Sequence, residues 1–141
     1  MRNCIVTFIQ AGSLALAMPA FAATPLEMQR DYEAQARKDD ASFKASAARG
    51  ESFFRKEHPA ATAGTATAAA CAACHTQDPR QSGRTRANKT IEPLAPLANP
   101  ARFTDPAKVE KWFGRNCGDV LGRACSAAEK ADFINWLVNL K

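Results

Sequence analysis

Cys71-Ala72-Ala73-Cys74-His75 is the stretch that decides the fold and chemistry of this chain. In a Cys-x-x-Cys-His motif the two thiols form thioether bonds to haem, and the histidine ligates the iron. A thioredoxin-like dithiol shares the cysteine spacing but belongs to a βαβ chain, and no strand pattern surrounds residues 60–75. The motif therefore predicts one covalently attached haem c, with a redox dithiol or a zinc site as alternatives.

The first 22 residues have the composition of a secretory leader. An early cation precedes an apolar run over residues 5–18, and Ala20-Phe21-Ala22 offers the small residues that signal peptidase cleaves after. The run is shorter than the roughly 20 residues of a transmembrane helix. We therefore expect a signal peptide over residues 1–22, export to the periplasm and no membrane insertion.

The rest of the chain, about 120 residues, is enough for one small domain. A haem would add a large apolar plate to its modest core. The formal net charge of +5 at pH 7 is mildly basic, which does not indicate a nucleic-acid-binding surface. We expect an N-terminal helical extension over residues 23–44 and a cytochrome domain over residues 45–141.

Helix-start signals recur along the chain and predict an all-α fold without a convincing strand. Capping boxes begin at Thr24 and Ser126, and Asp105 precedes a proline at the start of another helix. That helix is expected to end near residues 114–118. A further helix is expected over residues 42–57, ended by the His58-Pro59 pair.

Two cysteines remain outside the leader and the haem motif, Cys117 and Cys125. An oxidising compartment favours a disulfide between them, which would be worth about 2.5 kcal/mol for so short a loop. Two buried free thiols are the alternative. Zinc is disfavoured, because neither residue belongs to a Cys-x-x-Cys pair.

The residues alone identify one iron ligand and leave the other open. His75 is the expected proximal ligand, and a backbone carbonyl near Pro79 is expected to hold its other ring nitrogen. The usual sixth ligand is methionine, but the only methionine after the leader is Met28, far upstream, where packing is expected. His58 and an open sixth position are the remaining options.

Much of the chain, from about Ala47 to Leu140, resembles the sphaeroides haem protein (SHP) family. Members are monohaem periplasmic class I cytochromes that bind oxygen, so the resemblance implies that fold, with an extra N-terminal helix and four to five helices in all. Beside the haem motif, the segments that carry it are Thr85-Arg86-x-x-Lys89-x-Ile91-x-Pro93-Leu94-Ala95-Pro96, Arg102-Phe103-Thr104-Asp105, Lys108-Val109-Glu110-Lys111-Trp112, Gly114-Arg115-Asn116-Cys117, Leu121-Gly122-Arg123, Cys125 and Glu129-Lys130-Ala131-Asp132.

In the SHP family the asparagine directly before the first disulfide cysteine is the sixth iron ligand, and here that residue is Asn116. The resemblance thus implies His75 and Asn116 as the two metal ligands, with a Cys117–Cys125 bridge stiffening the segment that presents Asn116. The related cytochrome c″ has histidine at this position. Without the resemblance, Asn116 would be interpreted as a helix C-cap.

Several other residues are expected around the haem or in the packing behind it. Gly50, Phe53 and Phe54 are expected to meet Trp136, the glycine allowing close approach to an aromatic ring. The residues expected to wall the haem are Leu94, Pro96, Leu97, Phe103, Trp112 and Phe113. Three cations are interpreted as partners of the haem propionates, as a surface that attracts an acidic partner, or as part of a solvated loop: Arg84, Arg86 and Lys89.

The resemblance implies electron transfer in which reduction releases Asn116, so that O2, NO or CO binds ferrous haem. It also implies a dihaem cytochrome c and a membrane cytochrome b as electron donors, and we expect a monomer. A plain six-coordinate electron carrier is one alternative. An enzyme that turns over oxygen, nitric oxide or peroxide is another; no dedicated enzymatic activity is expected, and minor oxidase or NO dioxygenase activity stays open.

Overall fold

The structure of the chain is a computed structural model that describes residues 22–58 and 70–141. The expected signal peptide, apart from Ala22, lies outside the described residues. The elements are, in order, α1 (Pro25–Ala36), α2 (Ala47–Arg55), α3 (Ala72–His75), β1 (Gly83–Arg84), β2 (Thr90–Ile91), α4 (Pro106–Leu121) and α5 (Ala127–Val138). The all-α prediction is confirmed, with one addition: β1 and β2 pair antiparallel, Gly83 opposite Ile91.

The helices begin where the capping residues predict. The Thr24 and Ser126 side chains each accept a hydrogen bond from a backbone N–H of the first turn, in complete capping boxes, and Asp105 accepts one from the Lys108 N–H. These bonds satisfy donors that the first turn of a helix leaves free. The start of α2 differs from the prediction, because a turn closed on the Asp40 carboxylate by Ser42 precedes it and Ser46 is its N-cap.

Helix α4 is longer than the sequence predicts. It was expected to end near residues 114–118, but it continues through both glycines to Leu121 and ends on Gly122 in the left-handed conformation. Left-handed geometry costs a glycine little, so Gly122 is a favourable end for the helix. The prediction placed the end too early because glycine only weakens a helix interior, by about 1 kcal/mol per residue.

Helices α2 and α5 cross at the centre of the molecule. An added Cβ on Gly50 would lie 2.1 Å from the Asp132 carbonyl oxygen, so only glycine fits the crossing. The predicted close approach is therefore present, but the glycine meets backbone and not an aromatic ring. Phe54 is fully buried beside it, with its ring centroid 5.0 Å from that of Trp136.

Helix α1 packs on α5 and contributes to the same core. Met28 and Tyr32 are buried in the cluster that contains Phe133 and Ile134. The Tyr32 hydroxyl donates a 2.7 Å hydrogen bond to Glu110, which lies on α4. The N-terminal extension thus shares its apolar contacts with the later helices. Among residues 22–58 and 70–141, no helix has the length and apolar character to cross a bilayer.

Candidate haem site

The haem motif forms one turn of helix. Cys71 has helical dihedral angles and precedes α3, and its carbonyl accepts hydrogen bonds from the N–H groups of Cys74 and His75 at 3.3 and 3.1 Å. Thr76 then ends the turn with φ 64°, a conformation that is uncommon for a residue with a side chain. The turn brings the two thiols and the imidazole together on a segment of five residues.

The backbone of β1 lies directly against this turn. An added Cβ on Gly83 would lie 2.0 Å from the Cys74 carbonyl oxygen and 2.9 Å from the His75 Cα. Both are backbone atoms of the motif, so no side-chain rotation relieves the overlap. Gly83 therefore sets the distance between the two-stranded ribbon of β1 and β2 and the haem motif. Only the tertiary structure reveals this role.

Burial governs the protonation of the motif. It lowers the pKa of His75 to about 4, with a smaller contribution from the positive charge of Arg102, so the imidazole is neutral at physiological pH. A neutral imidazole is the form that ligates a metal. Burial also raises the pKa of Cys71 to about 11. The donor set is a neutral imidazole beside two unbonded thiols, which fits a covalently attached haem.

The carbonyl expected to orient His75 has other partners. The Pro79 oxygen accepts hydrogen bonds from the N–H groups of Leu94 and Ala95 at 2.9 and 3.0 Å, which uses both lone pairs of a carbonyl. Within the residues described, the His75 ring makes no hydrogen bond. The function of Pro79 is instead to tie the haem motif to the proline-rich loop, residues 92–100, which contains Leu94 and Ala95.

Asn116 lies within α4, more than a turn before its end, so the C-cap interpretation is wrong. Its side chain is exposed. The next residue, Cys117, is buried and joined to Cys125 by a disulfide with a Cα–Cα distance of 5.6 Å. The bridge fastens this part of α4 to the start of α5, while Asn116 faces away from that core.

One turn before Asn116, the Trp112 side chain is 41% exposed. The Lys111 ammonium and the Arg115 guanidinium lie 5.9 and 5.8 Å from the centroid of its ring. The middle of α4 therefore presents an indole and an amide on adjacent turns, flanked by two cations.

The other residues expected to wall the haem divide into buried and exposed sets. Leu94, Phe103 and Phe113 belong to or pack on the hydrophobic core, whereas Leu97 is 65% exposed. Phe103 has φ 58° and its ring packs edge-on against Phe133 at 6.4 Å. The proline-rich loop thus sends some of its apolar side chains inward and leaves others at the surface.

The alternative sixth ligands lie in places that suit packing. Met28 is 4% exposed in the core, where packing was expected. The His58 ring packs edge-on against Phe53, and its Nε2 atom is 3.3 Å from the Phe53 carbonyl. His58 therefore belongs to the end of α2.

Of the cations proposed for the propionates, Arg84, Arg86 and Lys89 are all exposed. Arg102, which belongs to the segments that resemble the SHP family, is partly buried and close enough to His75 to lower its pKa. No sequence signal distinguishes it from the other arginines, because its burial depends on how the loop folds.

Comparisons with known proteins show which family this chain belongs to and which cytochromes it resembles. Residues 40–137 match the model of a family described as Domain of unknown function (DUF1924). The chain is 44% identical to the cytochrome c-type protein SHP of Cereibacter sphaeroides over 127 residues, which covers 89% of this chain and 92% of that protein. The matched residues 40–137 span the haem motif and both disulfide cysteines of this chain.

Two solved structures have the same fold. Oxidised SHP, an oxygen-binding cytochrome c, aligns with a TM-score of 0.71 at 42% identity, covering 82% of this chain and 96% of the other. Oxidised cytochrome c″ from Methylophilus methylotrophus aligns with a TM-score of 0.74 at 35% identity, covering 83% and 94%.

Proposed function

Because this chain belongs to the DUF1924 family and is a close homologue of SHP, related also to cytochrome c″, we propose that it is a periplasmic monohaem c-type cytochrome that binds a diatomic ligand. Haem supplies one-electron redox chemistry and a coordination position for such a ligand. Cys71 and Cys74 would hold it by thioether bonds, and His75 would ligate the iron. The observation that carries the proposal is the single turn that brings these three residues together.

Asn116 is the proposed sixth ligand. It lies on a rigid helix, its side chain is exposed, and the disulfide at the next residue fastens the backbone that carries it. Because the disulfide already restricts this part of the helix, little further backbone entropy would be lost when the side chain binds a metal. The exposed Trp112 one turn earlier would cover part of the haem face beside it.

The chemistry of the amide makes the ligation dependent on the oxidation state. An amide oxygen is a weak, neutral and hard ligand, which suits ferric iron better than ferrous iron. Asn116 would therefore bind in the oxidised protein and leave on reduction. Once displaced, its NH2 group could donate a hydrogen bond to a diatomic such as O2, NO or CO.

The proposed electron donors and cellular location follow from the similarity to SHP. Electrons would come from a dihaem cytochrome c, and through it from a membrane cytochrome b, by analogy with the SHP family. The signal peptide over residues 1–22 would deliver the chain to the periplasm, where the Cys117–Cys125 disulfide is stable. The domain division at residue 44 stays a prediction.

Absorption and resonance Raman spectra of both oxidation states, with and without carbon monoxide, test the proposal. The chain is first produced with a working haem-maturation system, and its mass must include one haem. We expect carbon monoxide to bind the ferrous form and Asn116→Ala to make the ferric form high-spin. Asp119→Ala, on an exposed position of the same helix with only a 3.9 Å ion pair to Arg115, should leave the spectra unchanged.

Three outcomes would contradict parts of the proposal. A mature protein without haem would refute the cytochrome proposal as a whole. A ferrous form that stays low-spin and ignores carbon monoxide would indicate a plain six-coordinate carrier. If Asn116→Ala leaves the ferric spectrum unchanged, Asn116 is not the sixth ligand.

A further inference from the structure

The backbone directly after His75 has a conformation that is rare for a residue with a side chain. Thr76 has φ 64° and ψ 169°, a region of backbone space that is essentially restricted to glycine. For a β-branched residue, a positive φ of this kind is a genuine outlier. Such a conformation persists only where the surrounding structure holds it in place.

The segment that follows His75 supplies part of this support. The Thr76 hydroxyl donates a 2.7 Å hydrogen bond to the Asp78 carbonyl. The Pro79 carbonyl accepts two N–H groups of the proline-rich loop, so it is not free to accept from the His75 ring. The direction in which His75 projects therefore depends on the backbone of the turn that carries it.

Arg55, the last residue of α2, reaches this segment from a distant part of the chain. Its Nη1 donates hydrogen bonds to the Gln77 carbonyl at 3.0 Å and to the Gln77 Oε1 atom at 2.7 Å. Among residues 22–58 and 70–141, no other side chain from outside residues 76–81 hydrogen-bonds to residues 76–79. The two bonds hold both the main chain and the side chain of Gln77.

The guanidinium of Arg55 is itself held on two further sides. Its Nε donates a 2.9 Å hydrogen bond to Glu51, one turn earlier in α2. Its central carbon lies 5.9 Å from the centroid of the Trp136 ring, which belongs to α5 and is 5% exposed. Because a guanidinium is planar and its N–H groups have fixed directions, the contacts with α2 and α5 determine where Gln77 lies.

We infer that Arg55 is a positioning residue for the proximal histidine, His75. It holds Gln77 against α2 and α5, which keeps Thr76 in its strained conformation beside His75. Without Arg55, a change of backbone direction at Thr76 relieves the strain and turns the imidazole. The inference rests on the proposed haem attachment and on His75 as the iron ligand.

The test uses haem-loaded protein, verified by mass, in its ferric form with bound cyanide. Proton NMR records the paramagnetic shifts of the haem methyl groups, whose spread depends on the orientation of the proximal imidazole plane. Cyanide occupies the sixth position in every variant, so the measurement does not depend on Asn116. We expect Arg55→Gln to change the spread by more than twice the largest change in any control. Gln77→Ala removes only the side-chain acceptor and should change it in the same direction, by a smaller amount.

A glycine variant tests the strain itself. Thr76→Gly removes the branched side chain and makes the observed backbone conformation accessible without strain. In the Thr76→Gly background, Arg55→Gln should change the methyl shifts less than half as much as it does in the wild type. An equal change in both backgrounds would overturn the role of the strained turn.

Two control variants separate positioning from charge and from the stability of α2. Lys56→Gln removes the same charge from the next, exposed position. Glu51→Gln removes the 2.9 Å ion pair with Arg55 but leaves both acceptors of Gln77 in place. Both should keep the wild-type methyl shifts. If either reproduces the change seen in Arg55→Gln, or if Arg55→Gln leaves the shifts unchanged, the inference is wrong.

Should Arg55→Gln fail to mature, Gln77→Ala still decides, because unchanged methyl shifts in that variant would overturn the assignment. A chain that lacks haem in its wild-type form would refute the proposed function instead, so the two failures are distinguishable.

Discussion

At the scale of single residues, Gly83 has the strictest steric requirement near the haem motif. The nearest atoms to an added Cβ are the carbonyl oxygen of Cys74 and the Cα of His75, at 2.0 and 2.9 Å. Real Cβ atoms essentially never come so close to another atom, so the ribbon and the motif would have to separate. Gly114 provides the contrast, because a Cβ added there meets no heavy atom within 4 Å.

We predict that Gly83→Ala impairs haem attachment and lowers the free energy of unfolding by about 3 kcal/mol, the upper end of the range for overpacking. Gly114→Ala should be neutral or stabilising by about 0.5–1 kcal/mol, since alanine is the better helix former. The haem-to-protein ratio and chemical unfolding measure both effects. Equal haem content and stability in the Gly83→Ala and wild-type proteins would contradict the steric argument.

At the scale of elements, helix α4 connects the core to the proposed sixth ligand. Cys117 and Cys125 are both buried and bonded, and Gly122 turns the chain between them. A covalent link across so few residues restricts the end of α4 in the folded protein and in the unfolded chain. Asn116 is next to the bridge, so the disulfide would affect the proposed ligation as well as stability.

Removing the bridge in a Cys117→Ala, Cys125→Ala double variant should lower the free energy of unfolding by about 2.5 kcal/mol. We also expect a larger high-spin fraction in the ferric protein, because a looser helix end holds Asn116 less firmly. Wild-type protein treated with a mild thiol reductant is the control, since it keeps both side chains and loses only the bond. A double variant with wild-type stability and spin state would show that the bridge supports neither.

At the scale of the whole molecule, α5 is the element onto which charged side chains from the rest of the chain converge. Arg49 contacts the buried Asp132, and Lys130 donates to Glu110 at 2.8 Å. Hydrogen bonds from Arg123 lower the pKa of Glu129, as those from Lys130 lower the pKa of Glu110. A carboxylate with a lowered pKa stabilises the fold above its ordinary pKa, and the effect disappears as the pH falls through the folded value.

Acid unfolding should therefore depend on Glu129, whose side chain is partly buried and closes the capping box of α5. Glu129→Gln should lower the free energy of unfolding by about 1 kcal/mol at pH 7. The variant and the wild type should converge as the pH falls through the lowered pKa of Glu129, where the wild-type carboxylate becomes protonated.

Chemical unfolding at a series of pH values measures the difference. Glu51→Gln removes an exposed ion pair with Arg55 and should change stability by less than about 0.5 kcal/mol. A constant difference between the Glu129→Gln and wild-type proteins from pH 7 to pH 3 would contradict the prediction.

The sequence by itself determined the features that depend on neighbouring residues. The sequence predicts the haem motif, the helix starts at Thr24, Asp105 and Ser126, and the disulfide partners. Each of these features involves residues no more than about eight positions apart along the chain. Asn116 as a ligand came from the family pattern, not from its own neighbours, whose composition favoured a helix end.

Only the tertiary structure decided the features that join distant segments. In the folded chain Gly83 packs against Cys74, and the Pro79 carbonyl accepts hydrogen bonds from the proline-rich loop. Arg102 is partly buried and close enough to His75 to lower its pKa. Helix α4 also continues through two glycines. Burial, steric contact and the electric field of a charge depend on which surfaces are in contact in the folded protein. The secondary-structure propensities of neighbouring residues do not determine those contacts.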